Sequence, residues 1–261
     1  MQHTIDFKGA KVNFFVKGKG SAIVLLHGFL ENQTMWKSIS ETLTKTHKVI
    51  TIDLLGHGNT DCLGYIHTME LMADAVSAVL KHLRIRRFIV VGHSMGGYVA
   101  LALAEKNIEK IKGFCLLNST SYADDEERKK LRAKANKLIP KNFENMVRIS
   151  FLNLFTQQSR KVYKETISRV LKEALKTPLQ GYMACQEGMR ERPSRNDVLK
   201  QLSCEKLLII GKKDPVLNFE TSLQEAIDAN ANSVVLSNGH MSHIEDENEL
   251  ILALQTFVKK C

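Results

Sequence analysis

The chain alternates short apolar runs with longer stretches in which apolar residues recur every three or four positions. Residues 4–7 and 11–16 alternate apolar and polar around Lys8-Gly9 and predict a hairpin. "AIVLL" (22–26) is a continuous apolar run, as expected of a strand covered on both faces. Further strands are predicted at "VITIDL" (49–54), "RFIVVG" (87–92), "IKGFCLLN" (111–118), "KLLIIG" (206–211) and "SVVLS" (233–237). Helical spacing appears over about 34–44, over 69–83 with apolar residues at 72, 76, 79, 80 and 83, and over 95–105. It returns near 219–228 and over 247–259.

The alternation breaks between Ser121 and Arg195. That segment has no strand-like run and four helical ones, at 124–138, 142–155, 159–175 and 178–190. Strands alternating with helices predict an α/β fold, a mostly parallel, doubly wound sheet of about eight strands. The expected organisation is one core built from residues 1–120 and 196–261, with 121–195 as a helical cap insertion.

Charge and cysteine content narrow the function classes. The net charge is +9, but residues 119–200 hold nearly all the excess, with 18 Lys/Arg against 10 Asp/Glu. There the basic residues are interleaved with acids and apolar residues. No basic stripe with interspersed aromatics occurs, so no nucleic-acid partner is expected. A solvated helical face accounts for the pattern; a positive rim that attracts an anionic substrate is the alternative. The apolar runs are far shorter than the ~20 residues of a membrane span, so no membrane insertion is expected. The first residues lack the basic and apolar regions of a signal peptide. The five cysteines are scattered without a C-x-x-C pair, and a reducing cytoplasm is the expected setting.

Candidate chemistry begins at "GHSMGG" (92–97). Gly92-x-Ser94-x-Gly96 lies where a buried strand turns into a helix, the context in which G-x-S-x-G exposes a nucleophile. Small residues two before and two after the serine let the turn close. The hydroxyl then stands at the positive end of the helix. A serine needs a base, and the base needs an orienting acid. Asp214 follows one strand in "GKKDPV" and His240 follows the next in "NGHMSHIE". His243 competes as base, but it approaches the last helix, whereas His240 follows Gly239 in the loop. Asp53 precedes the serine in sequence and reads as a loop anchor. Asn118 is neutral and cannot stabilise an imidazolium as a carboxylate does. His93 reads as packing beside the nucleophile. Oxyanion donors are expected from the backbone N–H groups of Met95 and of Phe29, in the "HGF" loop after the first buried strand. No metal-ligand spacing stands out, and no metal or organic cofactor is implied.

These residues resemble the α/β-hydrolase superfamily over essentially the whole chain. The carriers are "HGF" (27–29), "DLLGHGNT" (53–60), "GHSMGG" (92–97), "GKKDPV" (211–216) and "GHMSHIE" (239–245). They look like the single-domain group with an "HG" oxyanion loop and a helical cap, which includes carboxylesterases, lipases, C–C bond hydrolases, cofactor-free haloperoxidases and the menaquinone-pathway synthase-lyase. The resemblance implies Ser94 as nucleophile, Asp214 as acid, His240 as base, and Phe29 and Met95 as oxyanion donors. Relatives with an aspartate nucleophile, the epoxide hydrolases and haloalkane dehalogenases, are disfavoured by Ser94. Two departures are "GNT" (58–60) in place of Gly-x-Ser, and the absence of a proline before "LLIIG".

The insertion is expected to set substrate choice. Phe143, Met146, Phe151 and Phe155 either glue it to the core or roof an apolar acyl pocket. The expected activity is cleavage of a small carboxylic ester through an acyl-enzyme; an anionic ester drawn in by the basic surface is the alternative to a merely solvated face. The same residues also suit C–C hydrolysis, perhydrolysis or a lyase reaction. A non-catalytic binding protein would be expected to lack a member of the Ser-Asp-His set.

Overall fold

A computed structural model describes residues 2–261. Strands β1 (Gln2–Phe7) and β2 (Ala10–Lys17) form a hairpin around Lys8 and Gly9, whose φ values of 55° and 85° suit its tight turn. β3 (Ala22–Leu26), α1 (Lys37–Leu43), β4 (Lys48–Ile52), α2 (Met69–His82), β5 (Phe88–His93), α3 (Met95–Lys106) and β6 (Ile111–Leu117) then alternate. Six helices follow: α4 (Glu126–Leu138), α5 (Phe143–Leu152), α6 (Gln157–Val162), α7 (Lys164–Ala174), α8 (Leu179–Glu191) and α9 (Asn196–Gln201). β7 (Glu205–Gly211), α10 (Phe219–Asp228), β8 (Asn232–Leu236), the single turn α11 (Ser242–Glu245) and α12 (Glu247–Lys260) complete the chain.

The eight strands form one sheet in the order β1-β2-β4-β3-β5-β6-β7-β8. β1–β2 and β2–β4 are antiparallel, and every other pair is parallel. Side chains alternate across a strand, and here both faces are covered. Val24, Leu26 and Val90 pack with Val76 of α2 and Val99 of α3 on one face. Ile23, Leu25 and Val91 pack with Ile39 of α1 and Leu254 of α12 on the other. The uninterrupted "AIVLL" run follows from this double burial.

All elements between β6 and β7 are helical. The chain enters and leaves this helical segment side by side, with the Arg195 N–H donating to the Ser121 carbonyl at 2.7 Å. Buried Asp124 near the entry pairs with Arg192 near the exit at 2.8 Å, and the Arg192 guanidinium lies 3.8 Å from the Tyr98 ring centroid of α3. The helix expected over 159–175 is two helices instead. They break at Tyr163 (φ −102°, ψ 24°), whose hydroxyl donates to the Glu245 carbonyl at 2.8 Å. Among the described residues no helix is long and apolar enough to cross a membrane. All five cysteines are free.

Candidate active site

β5 delivers its last residue, His93, into a turn that α3 continues from Met95. Ser94 between them has φ 49° and ψ −116°, a conformation that side-chain-bearing residues avoid. The turn is closed so tightly that a Cβ on Gly92 would sit 2.4 Å from the Gly96 carbonyl oxygen, and one on Gly96 2.3 Å from that of Leu26. Both obstacles are backbone, which cannot swing aside as a side chain can. Gly92→Ala is therefore expected to lower unfolding free energy by about 1–3 kcal/mol, the cost of overpacking. Urea denaturation measures it, and an unchanged midpoint would show that this turn yields freely.

The loops after β7 and β8 bring two more groups to Ser94. His240 Nε2 lies 2.9 Å from Ser94 Oγ, and His240 Nδ1 lies 2.7 Å from Asp214 Oδ2. The His240 and Asp214 side chains are buried. The other carboxylate oxygen of Asp214 accepts the N–H groups of Val216 (2.7 Å) and Leu217 (3.1 Å). Burial opposes ionisation of Asp214, but the adjacent His240 and these donors outweigh it and hold the carboxyl below its usual range. A proton on His240 Nδ1 shared with that carboxylate leaves Nε2 free to accept from the Ser94 hydroxyl.

Asn118, at φ 44°, is part of the support. Its Nδ2 donates to Asp214 Oδ2 and to the Gly239 carbonyl, both at 3.2 Å, and its Oδ1 accepts from Ser242 Oγ at 2.7 Å. It thus joins the ends of β6 and β7 to the His240 loop. Ser119 Oγ donates to the Ser94 carbonyl at 2.7 Å.

The loop after β3 is held from several sides. His27 Nε2 accepts the Leu54 N–H (2.9 Å), so its Nδ1 carries the proton and donates to the Gly28 carbonyl at 2.8 Å. In a trans peptide the N–H points away from the carbonyl, so fixing the Gly28 oxygen also fixes the direction of the Phe29 N–H. The flanking N–H groups are taken: Gly28 donates to Glu31 Oε2 (2.7 Å) and Leu30 to His57 Nε2 (3.2 Å). Neither the Phe29 N–H nor the Met95 N–H makes a hydrogen bond to another described residue. Two donors from separate loops are thus left for an external acceptor.

The other sequence candidates have different surroundings. Asp53 accepts from Asn13 Nδ2 and from the N–H groups of Gln33 and Asn59, which anchors three loops. His243 turns from Ser94 toward Glu31, with Nε2 3.4 Å from Glu31 Oε1. Phe151 and Phe155 are buried with ring centroids 5.7 Å apart, in a cluster that includes Leu30, Val147, Tyr182 and Met241. Phe143 and Met146 are half-buried at its margin, and the Phe29 ring sits 4.9 Å from that of Tyr182. A cavity of about 750 Å³ lies between helices α5 and α7 and the loops after β3 and β8, lined by Leu30, Glu31, Phe151, Arg169, Met241 and His243 among others.

Sequence spacing gave no sign of a cluster formed by Glu31, His93 and His243. Their donor atoms lie within 4.8 Å of one another and all three residues are buried. His93 Nδ1 is 2.7 Å from Glu31 Oε2. That is hydrogen-bond length, shorter than the ~3.3 Å edge between ligands about 2.0–2.1 Å from a tetrahedral metal. The group therefore fits an ion pair better than a metal site. Burial works against both charges, yet the pair prevails: Glu31 is held down to about 2 and His93 is raised above its ordinary value. His243, whose burial is not offset in this way, is pushed down to about 4 and is neutral.

The family model for the α/β-hydrolase fold matches residues 21–247, and the chain belongs to that family. Over 125 residues it is 32% identical to an uncharacterized protein of Mycobacterium tuberculosis, covering 47% of this chain and 37% of that protein. The match thus spans little more than a third of that relative's length. Over 240 residues it is 25% identical to 3-oxoadipate enol-lactonase 1 of Acinetobacter baylyi, covering 91% of this chain and 88% of that one. Among solved structures, a thermophilic esterase from Thermogutta terrifontis has a TM-score of 0.93 at 28% identity, covering 100% of this chain and 98% of that one. The enol-lactonase of Burkholderia xenovorans LB400 has a TM-score of 0.91 at 21% identity, covering 98% and 100%, a likeness of fold.

Proposed function

We propose that this hydrolase cleaves small carboxylic esters, lactones included, with Ser94 as nucleophile, His240 as base and Asp214 as the acid that orients it. The reading rests on one observation: the relay Ser94 Oγ–His240–Asp214, at 2.9 and 2.7 Å, at the tip of a turn strained to expose the serine. Ser94 Oγ attacks the ester carbonyl as its proton passes to His240 Nε2. The resulting imidazolium is stabilised by Asp214 through Nδ1. The Phe29 and Met95 N–H groups receive the developing oxyanion. His240 then gives the proton to the leaving alcohol, and a water deprotonated by His240 releases the acid from the acyl-enzyme. Residues 121–195 act as a cap, and Phe143, Met146, Phe151 and Phe155 shape the side of the site that receives the acyl or aryl group. The esterase and enol-lactonase names of the relatives support the ester class.

The test is labelling with a fluorophosphonate probe together with burst kinetics on acyl esters and lactones of graded chain length. Labelling of the wild type that is lost in Ser94→Ala, and a burst of alcohol release from the open-chain esters, are expected. Labelling that survives Ser94→Ala would sink the nucleophile assignment. Turnover without a burst or labelling would favour a lyase-type use of the same base. The basic insertion adds a charge expectation: turnover of carboxylate-bearing esters falls more steeply with salt than that of neutral ones. Equal salt slopes would remove it.

A further inference from the structure

We propose that Glu31 is a positioning residue for this site: as the anion of a buried pair with the imidazolium of His93, it ties the oxyanion loop, the nucleophile turn and the His240 loop into one unit. The inference rests on the triad reading above. Three contacts carry it. The Gly28 N–H donates to Glu31 Oε2 at 2.7 Å, His93 Nδ1 meets the same oxygen at 2.7 Å, and His93 Nε2 meets the His240 carbonyl at 2.9 Å. His93 directly precedes Ser94, Gly28 directly precedes Phe29, and His240 is the base itself. Each contact thus ends within one residue of a group with a role in the reaction.

The hydrogen-bond pattern narrows the charge state to two arrangements. A carbonyl oxygen has no proton to give, so His93 Nε2 must carry one. At the other nitrogen a proton must lie between Nδ1 and the carboxylate oxygen. On the carboxylate it would leave a neutral pair. On Nδ1 it makes an imidazolium facing a carboxylate that also accepts the Gly28 N–H, and charge-assisted bonds of this kind are the stronger arrangement. The lowered Glu31 and raised His93 values point the same way. The other nearby titratable groups are His27, His240, His243 and Asp214. His243 sits 3.4 Å from Glu31 Oε1, and the His240 ring centroid is 5.2 Å from that of His93.

A carboxylate is needed for this linkage. Glutamine at position 31 would no longer hold His93 as a cation. A neutral imidazole that keeps its Nε2 proton on the His240 carbonyl leaves Nδ1 bare, so the glutamine either turns its amide N–H to Nδ1 and gives up the Gly28 N–H, or keeps the Gly28 N–H and sets its oxygen against Nδ1. Either way one of the three contacts is lost, and displacement of a reacting group by even an ångström or less is costly.

Two measurements test this. In wild-type protein, nitrogen NMR of the histidines is expected to show both His93 ring nitrogens protonated at pH 7. A bare nitrogen on His93 at that pH would overturn the proposal. In Glu31→Gln, kcat is expected to fall about ten- to a hundredfold, with KM within about twofold, at a temperature where the variant is fully folded. The rate of fluorophosphonate labelling should fall in parallel. A variant that only melts earlier, with kcat intact, would show a structural role and overturn the proposal. If Glu31→Gln does not fold, the wild-type spectrum decides. Failure of the Ser94 reading is separately visible, because the wild type would then not label or the label would survive Ser94→Ala, whatever the state of His93.

Discussion

Ser94→Ala is expected to lower ester hydrolysis by at least about a thousandfold with the fold intact. The hydroxyl is the group that His240 Nε2 faces at 2.9 Å, and alanine leaves nothing there to acylate. Background catalysis by the oxyanion donors and by binding remains, so the rate does not fall to that in water. Stability behaves differently. Alanine keeps the Cβ, so the strain of φ 49°, ψ −116° stays in place. Ser94→Gly removes the Cβ and with it a conformational cost of roughly 1–3 kcal/mol. Against this stands the greater freedom glycine gives the unfolded chain, about 0.4–1 kcal/mol. Ser94→Gly should therefore unfold at higher urea than Ser94→Ala while being equally inactive. Steady-state rates and urea midpoints check both parts. A Ser94→Ala enzyme with a tenth or more of wild-type activity would remove Ser94 from the mechanism. A Ser94→Gly variant no more stable than Ser94→Ala would show that the turn stores no strain.

Much of the fold was legible because its signals are local. β3 and β5 are apolar throughout since helices cover both faces of the sheet, and strand-like runs with that composition are hard to mistake. The tight turn at Ser94 was legible for a steric reason: a Cβ at 92 or 96 would meet backbone atoms. What stayed hidden depends on partners far along the chain. Glu31 reads as a polar loop residue in "HGFLEN", and nothing nearby predicts its burial. Its partner His93 stands at the end of β5, 62 residues on. His93 itself, read as packing, carries two specific polar contacts. Asn118 reads in the sequence only as a poor substitute for Asp214, although it holds Asp214 by a hydrogen bond. The break at Tyr163 lies within a continuous helical period, because a tertiary contact to Glu245 accompanies it and no local breaker residue marks it. In the insertion, periodicity identified helices but not which apolar side chains face one another. Phe151 and Phe155 are fully buried, whereas Phe143 and Met146 stay at the cluster's edge.

Asp214→Asn should separate orientation from nucleophilicity, with kcat falling about ten-thousandfold and the fold retained. The backbone donors explain the retained fold and also the loss. Val216 and Leu217 donate to Oδ1, so the amide oxygen would take that position and the amide nitrogen would occupy the position of Oδ2. There it faces His240 Nδ1 and the Asn118 Nδ2 donor. An amide N–H directed at Nδ1 favours the tautomer protonated at Nε2, and such a histidine cannot take the Ser94 proton. The same substitution has an opposite signature in acid stability. The carboxyl of Asp214 is depressed in the folded protein, so its stabilising contribution is fully present above the ordinary carboxylate value of about 4. It is lost as pH falls from there through the lower folded-state value. Between pH 5 and pH 3 the urea midpoint of Asp214→Asn should therefore fall less than that of the wild type, the other carboxylates being common to both. Parallel acid curves would mean that Asp214 gains nothing from His240 and its N–H donors. A variant that keeps a hundredth or more of the wild-type kcat would mean that His240 holds the working tautomer without a carboxylate.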